Sequence, residues 1–287
     1  MNKPITLAIG HITHDRVNGE LLPGGCAYYA SGCWRALGTE TRLATALGED
    51  FACDGALAGM ELLARRKGRT TVFRNFYPEG APRVQFVEAE AERVLPVELP
   101  ENWRRADVMF LGPVIDEVDA GAWMAAVDAR IVAVGVQGFV REAVDISPEH
   151  TTSRRVMPKR WYPEPQFLAG VDVACLSEED LIGQEGLLNL LCAHVPLVAL
   201  TKERKGCDLL QEGGSTWVGI HPAKVVDPTG AGDGFAAGFL FGLAREMDPV
   251  DAARLGAACA SIVIEGRAGE AFGRIGEAYE RARIVPP

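Results

Sequence analysis

A chain of 287 residues with 48% hydrophobic and 24% charged residues has an ordinary globular balance, and its length suits one α/β unit with an insertion and a large core. Its 39 acidic against 29 basic residues, a net charge of −10, argue against binding nucleic acid through a broad basic face but permit a local basic pocket for a phosphate ester. No apolar stretch approaches the ~20 residues that span a bilayer, no secretory pattern opens the chain, and seven scattered cysteines without a CxxC pair read as buried reduced thiols, so a soluble cytoplasmic protein is expected, with no membrane partner.

In chain order, ITLAIG (5–10) reads as a strand. HITHDRVNGELL (11–22) alternates about Asn18-Gly19, a strong hairpin signal. CAYYASGCWRALG (26–38) reads as a helix ending at Gly38, and TRLATALG (41–48) as another strand. Gly55 to Arg66 carries leucine and methionine at helical spacing, and residues 70–94 read as two strands around Pro78-Glu79-Gly80. ADVMFLG (106–112), ARIVAVGV (129–136), VDVACLS (171–177) and VPLVALTK (195–202) are apolar runs of the kind buried on both faces of a sheet. Each follows a helical or polar segment, which implies a mostly parallel sheet covered by helices on both sides. The more polar segments, about 11–23 and 70–94, are expected to form an antiparallel flap. Residues 147–166, rich in Pro, Arg and Lys, read as a loop, and nothing divides residues 1–287 into separate domains.

The chemistry concentrates in VVDPTGAGDGFAAGFLFGLAREM, residues 225–247. Pro228 stops any earlier helix and Thr229 is a natural N-cap. Gly230, Ala231 and Gly232 then leave backbone amides bare at a helix start, where the dipole favours phosphate oxygens without any lysine. Asp233 follows in the first turn, where a carboxylate can accept the proton of a hydroxyl attacking a phosphoryl group. The same residues also suit a capped helix whose first-turn acid only complements the dipole. No GxxxxGK[ST] occurs, which excludes a P-loop, and the glycine spacing and late position do not fit a dinucleotide fingerprint.

DPTGAGDGFAAGF strongly resembles the C-terminal signature of the PfkB, or ribokinase-like, carbohydrate kinases. The resemblance implies a three-layer α/β/α fold with a small β-flap lid, ATP and Mg2+ as cofactors, and transfer of a phosphoryl group to a hydroxyl of a sugar or cyclitol such as inositol. It makes Asp233 the general base and Gly230, Ala231 and Gly232 the anion hole. Asp15 followed by Gly24-Gly25 resembles the family's acceptor-binding motifs, with Tyr29 in the place of the usual asparagine. Arg83 in the flap is a further candidate for the acceptor. LTKERKGC (200–207) resembles the nucleotide-binding T-x-G-x-x-G loop, with Thr201 and Gly206 matching and Glu203 in a glycine's place. Ser177 and Asp180 of LSEED stand where the family has an N-x-x-E motif tied to magnesium and phosphate, so Asp180 is an indirect metal candidate. ACASIVIEGRAG (258–269) resembles the helix and turn beside the adenine, making Ala258 and Ser261 nucleotide candidates. VGVQGFVR (134–141) resembles a DxQGxxR stretch of one branch, with Gly135 in the aspartate's place.

Two other readings remain open: a nucleoside kinase using Tyr28, Tyr29, Phe73, Phe76 or Tyr77 to stack a base, and a non-catalytic metabolite-binding regulator on the same scaffold. His11 and His14 form an HxxH pair with no third ligand and read as polar flap surface, and Cys207 reads as core. A K+ requirement and a homodimer through the flap are left open.

Overall fold

Continuous apolar runs become the central strands because both of their faces are covered, and the glycines and acids between them supply turns and caps. The computed structural model describes residues 3–76, 84–145 and 153–286. The strands are β1 (Ile5–Ile9), β2 (Thr13–Val17), β3 (Glu20–Gly24), β4 (Glu40–Leu47), β5 (Glu61–Arg66), β6 (Thr71–Phe76), β7 (Val84–Ala89), β8 (Arg105–Leu111), β9 (Asp128–Gly135), β10 (Arg141–Asp145), β11 (Arg154–Pro158), β12 (Val173–Ser177), β13 (Leu197–Thr201), β14 (Cys207–Gln211) and β15 (Gly214–Val218). The helices are α1 (Cys26–Leu37), α2 (Ala120–Ala126), α3 (Pro165–Leu168), α4 (Leu187–His194), α5 (Ala231–Ala244), α6 (Pro249–Val263) and α7 (Ala278–Ala282).

Nine strands form one sheet in the order β15-β14-β13-β12-β9-β8-β1-β4-β5. Pairings from β13 to β5 are parallel, and β14 and β15 add an antiparallel edge. Chain order runs outward from β1 through β4 to β5, and from β8 through β9 and β12 to β13, so it reverses between β1 and β8. The crevice at the carboxyl ends of strands beside such a reversal is where open α/β sheets bind ligands. Helices α1, α5 and α6 share one core with Trp34, Phe110 and Phe239, while α2, α3 and α4 share the other with Trp123, Leu168 and Leu191. Trp34 Nε1 donates to Ala237 O at 2.8 Å, which ties α1 to α5. Helices α5 and α6 lie so close that a Cβ at Gly238 would be 2.8 Å from Cys259 Sγ.

The second sheet has the order β10-β11-β7-β6-β2-β3. The Asn18-Gly19 turn forms as expected, with φ of +50° and +86°, but the flap is mixed rather than antiparallel because β2 pairs in parallel with β6. Within the segment expected to be a loop, residues 154–158 form β11, which joins β7 to β10. The turn proposed at Pro78-Glu79-Gly80 lies outside the described residues.

Three further expectations are corrected. Residues 55–66 are not a helix: a 3-10 turn at Asp54–Leu57 is followed, after Gly59 at φ +79°, by edge strand β5. Leu62 packs on one core and Leu63 on the other, the alternation of a strand. His11 and His14 are buried rather than on the flap surface. His11 finds Thr71 Oγ1 at 2.8 Å and Glu92 O at 2.7 Å, while His14 Nε2 accepts from Ala52 N at 3.1 Å and its ring stacks on Phe51. Cys192 is exposed on α4, although five of the seven thiols are buried and none is paired. Among the described residues no helix is long and apolar enough to cross a membrane.

Candidate active site

The loop before α5 is held from both ends. Val226 N and Asp227 N donate to Ile264 O at 2.8 and 3.2 Å, and Asp227 Oδ1 accepts from Thr229 N at 2.9 Å, an Asx turn that reverses the chain. The helix cap is Gly230, at φ +82°, one residue beyond the expected Thr229. A left-handed cap of this kind favours glycine, and the Tyr29 ring occupies the space a Cβ would take. Ala231 N donates to Pro228 O at 3.2 Å. The amides of Gly232 and Asp233 are then the helix-start donors with no acceptor inside the helix. Gly232 is exposed, with no atom within 4 Å of where its Cβ would stand.

Asp233 occupies the first turn of α5. Burial pushes its carboxyl up to about 6; a hydrogen bond from Cys26 opposes that rise, the Asp180 charge adds to it, and Arg141 works against it. Such a carboxylate is ionised at neutral pH yet basic enough to take a hydroxyl proton.

Beside this helix start lies a cavity of about 260 Å³, lined by Asp15, Asn75, Tyr29, Asp227, Thr229 and Arg267 among others. Asp15 is contributed by β2, where its Oδ1 accepts from Thr13 Oγ1 at 3.1 Å. Gly24 lets β3 pass close, since a Cβ there would meet Asp15 Cγ at 2.8 Å, and Gly25 is the cap of α1 at φ +98°. Tyr29 is 2% exposed, and its phenol is pushed up by burial and by the carboxylates of Asp15, Asp227 and Asp233. Arg83 lies outside the described residues. The turn after α6 places Arg267 and Ala268 in this cavity, where Tyr28 Oη donates to Ala268 O at 3.0 Å.

On the other side of α5, Thr201 ends β13 and its hydroxyl donates to Leu176 O at 3.2 Å. Gly206, at φ +92°, closes the following turn, in which Glu203 adopts φ +49° in the place of the family's glycine. Ser177 and Asp180 form a reciprocal cap: Asp180 Oδ2 accepts from Ser177 N and Oγ, both at 2.8 Å. Asp180 Oδ1 is buried without a hydrogen-bond partner, and Oδ1 stands 3.6 Å from Arg141 Nη2. Ala258 and Ser261 are not presented to a cleft. They are buried on α6, and the Ser261 hydroxyl donates to Ala258 O at 2.7 Å and accepts from Arg281 at 3.0 Å.

Arg141, Gln137, Cys26, Asp227 and Arg267 were not singled out from the sequence. The QGxxR run carried a signal for the first two and the GAGD motif one for Asp227, whereas Arg267 reaches the cavity only through tertiary packing. Residues 165–271 match the family model described as pfkB family carbohydrate kinase. An inositol 3-kinase of Oryza sativa subsp. japonica is 30% identical over 271 residues, covering 87% of this chain and 66% of that enzyme.

The chain belongs to the PfkB, ribokinase-like family.

The PfkB-family match extends to a cytidine kinase of Thermococcus kodakarensis, 24% identical over 87% of this chain and 92% of that one. A solved structure, a pyrophosphate-dependent kinase in the ribokinase family complexed with a pyrophosphate analog and myo-inositol, superposes with a TM-score of 0.72 at 20% identity, over 90% of this chain and 94% of that one. The PfkB-family chain thus spans about two thirds of the rice enzyme's length, and it shares its fold with a ribokinase-family kinase.

Proposed function

We propose that this PfkB-family protein transfers the γ-phosphoryl group of ATP to a hydroxyl of a small cyclitol or sugar, with Asp233 as general base. The observation that carries the reading is the Asp233 carboxyl, raised to about 6 in the first turn of α5, beside a cavity lined by acceptor groups. Asp15, Asp227 and Asn75 offer carboxylate and amide oxygens that accept from hydroxyls, and Arg267 donates. At about 260 Å³ the cavity falls below the roughly 300–1,000 Å³ of drug-sized ligand pockets, which favours a six-carbon polyol over a nucleoside. Tyr28 and Phe73, two of the candidates for stacking a base, are 3% exposed and packed in the core.

In the reaction the acceptor oxygen gives its proton to Asp233 and bonds to the γ-phosphorus as the bond to ADP breaks. The amides of Gly232 and Asp233 receive charge on the transferring oxygens. Mg2+ would enter on the donor's phosphates with part of its water shell. Asp180 Oδ1, buried and without a hydrogen-bond partner, is the group to hold that shell, and the ion supplies charge neutralisation when bound. The six-stranded sheet acts as a lid that excludes water. Arg267 Nη2, in the turn after α6, stands 3.5 Å from Glu20 Oε2 of β3, an exposed ion pair between this sheet and the cavity wall.

The test is ADP release from Mg-ATP with myo-inositol, ribose, fructose or cytidine, repeated with pyrophosphate as donor and phosphate as product. Turnover strongest with myo-inositol is expected. Turnover confined to cytidine would favour the nucleoside reading. Tight acceptor binding with no transfer from either donor would favour the regulator.

A further inference from the structure

One wall of the cavity beside α5 is built on the six-stranded sheet: Asp15 of β2, Pro23 of β3 and Asn75 of β6 face Asp227, Thr229 and Arg267. Where that wall stands is decided where the chain crosses between the sheets. Residues 10–12 cross from β1 to β2, residues 67–70 cross from β5 to β6, and a third crossing begins at residue 90, after β7. His11 meets all three. Its main-chain N donates to Glu117 Oε1 at 2.8 Å. Its ring Nδ1 stands 2.8 Å from Thr71 Oγ1, the first residue of β6, and Nε2 stands 2.7 Å from Glu92 O. Thr71 Oγ1 also accepts from Ala91 N at 2.9 Å. These partners fix the proton positions. A carbonyl oxygen only accepts, so Nε2 carries the ring proton and donates to Glu92 O. His11 and Thr71 are fully buried, and the Thr71 hydroxyl, having accepted from Ala91, still has its own proton to give. Unprotonated Nδ1 is the acceptor at that place. A proton on Nδ1 would oppose the Thr71 hydroxyl and take that acceptor away.

We propose that His11 is a positioning residue: as the Nε2–H tautomer it bolts β6 and the exit of β7 to the end of β1, and so sets where Asp15 and Asn75 stand across the cavity from Asp227 and Arg267. Strand register carries the effect. β2 runs parallel to β6 with Thr13 beside Thr71 and Asp15 beside Phe73, so both cavity residues lie a few positions beyond the bolt on paired strands. Asn75 is held in turn by β7, where Gln85 Nε2 donates to Asn75 Oδ1 at 3.0 Å. Strands joined this way tilt together, so a shift at Thr71 displaces Asp15 and Asn75 as a pair. A second set of bonds ties the first two crossings to β4 and its end: Ile12 N donates to Thr45 Oγ1 at 3.0 Å, and Gly48 N to Thr70 Oγ1 at 3.1 Å. These do not involve the ring, so loss of the bolt loosens the seat of the sheet without releasing its backbone.

The proposal rests on the cavity being the acceptor site, and the experiment keeps the two claims apart. Nitrogen-proton correlation spectra of substrate-free enzyme carrying 15N-labelled histidine read the His11 tautomer, its signals assigned by their loss in His11→Gln. The Nε2–H form is expected. Amide exchange is then compared between wild type and Thr71→Val, which keeps the side-chain shape and removes the hydroxyl. It should quicken in β2 and β6 and stay unchanged in β8 and β9. With Mg-ATP and myo-inositol, Thr71→Val should raise KM for myo-inositol roughly 5- to 10-fold, the size of one lost hydrogen bond. KM for ATP should not move, and Thr71→Ser should recover most of the loss. A ring charged or protonated on Nδ1, or exchange in Thr71→Val that changes equally in both sheets, overturns the bolt. So does a fall in kcat with both KM values unchanged, which marks a smaller folded fraction. Wild type that turns over no acceptor overturns the acceptor reading instead, and the spectra and exchange still decide for or against the bolt.

Discussion

The ring of Tyr29 lies against the backbone of Gly230. A Cβ at Gly230 would fall 2.7 Å from Tyr29 Cγ and closer still to Cδ1 and Cε1. One aromatic side chain therefore both lines the cavity and packs on the helix cap three residues before Asp233.

Gly230→Ala and Gly232→Ala should separate folding from chemistry. At Gly230 the left-handed φ costs about 1–2 kcal/mol and overlap with Tyr29 adds about 1–3, so a clear drop in denaturant midpoint is expected. At Gly232 there is open space and ordinary backbone, so stability holds or rises slightly. A methyl group beside the helix-start amides should still cost roughly 10- to 100-fold in kcat by displacing the phosphoryl group. Urea titrations and steady-state kinetics on both variants check this.

The acid limb of kcat should report a group near pH 6, since Asp233 must be ionised to act and its carboxyl is raised to about 6. The same shift sets the sign for stability. A carboxyl that holds its proton more tightly folded than unfolded destabilises the fold above the folded value, and the effect vanishes below the unfolded value near 4. Asp233→Asn should thus melt higher than wild type at pH 8, and the gap should shrink as pH falls through 6 towards 4. Thermal melts at pH 4.5, 6 and 8 test the sign.

Glu117 was not legible in the sequence, yet it joins the two strand ends at the reversal point. Its buried carboxylate accepts from His11 N at 2.8 Å, Val114 N at 2.9 Å and Ile115 N at 2.9 Å. Glu117→Ala strips these buried amides of their acceptor and should cost on the order of 3–5 kcal/mol. Glu117→Gln, which keeps an oxygen, should lose clearly less. Equal midpoints for the two variants would contradict this account.

Glu203 sits at φ +49°, a left-handed conformation, in the turn that resembles T-x-G-x-x-G. Removing the Cβ relieves a left-handed strain of about 1–2 kcal/mol. Glu203→Gly should therefore keep or raise the melting temperature rather than lower it, as glycine does at most loop sites. Calorimetry decides the sign.

The parallel core was legible because runs such as ADVMFLG are apolar on both faces, a signal that needs no knowledge of partners. The glycine-rich turn that starts α5 was legible because its glycines and its acid lie within four residues. Other features depend on distant contacts. The parallel pairing of β2 with β6 and the recruitment of β11 follow from register across the sheet, not from local pattern. Leu62 and Leu63 fit either a helix or a strand until the neighbouring β4 is known. His11 looked like surface because its partners, Thr71 and Glu92, lie 60 and 81 residues away.

The central claim is that Asp233 takes the acceptor proton, and single-turnover transfer from bound ATP tests it most directly. Wild type and Asp233→Asn would be mixed with Mg-ATP and the best acceptor of the panel, with ATP binding measured separately by calorimetry. The account predicts unchanged ATP affinity and transfer slowed roughly 10²- to 10⁴-fold in the variant. Transfer within a few-fold of wild type would contradict it.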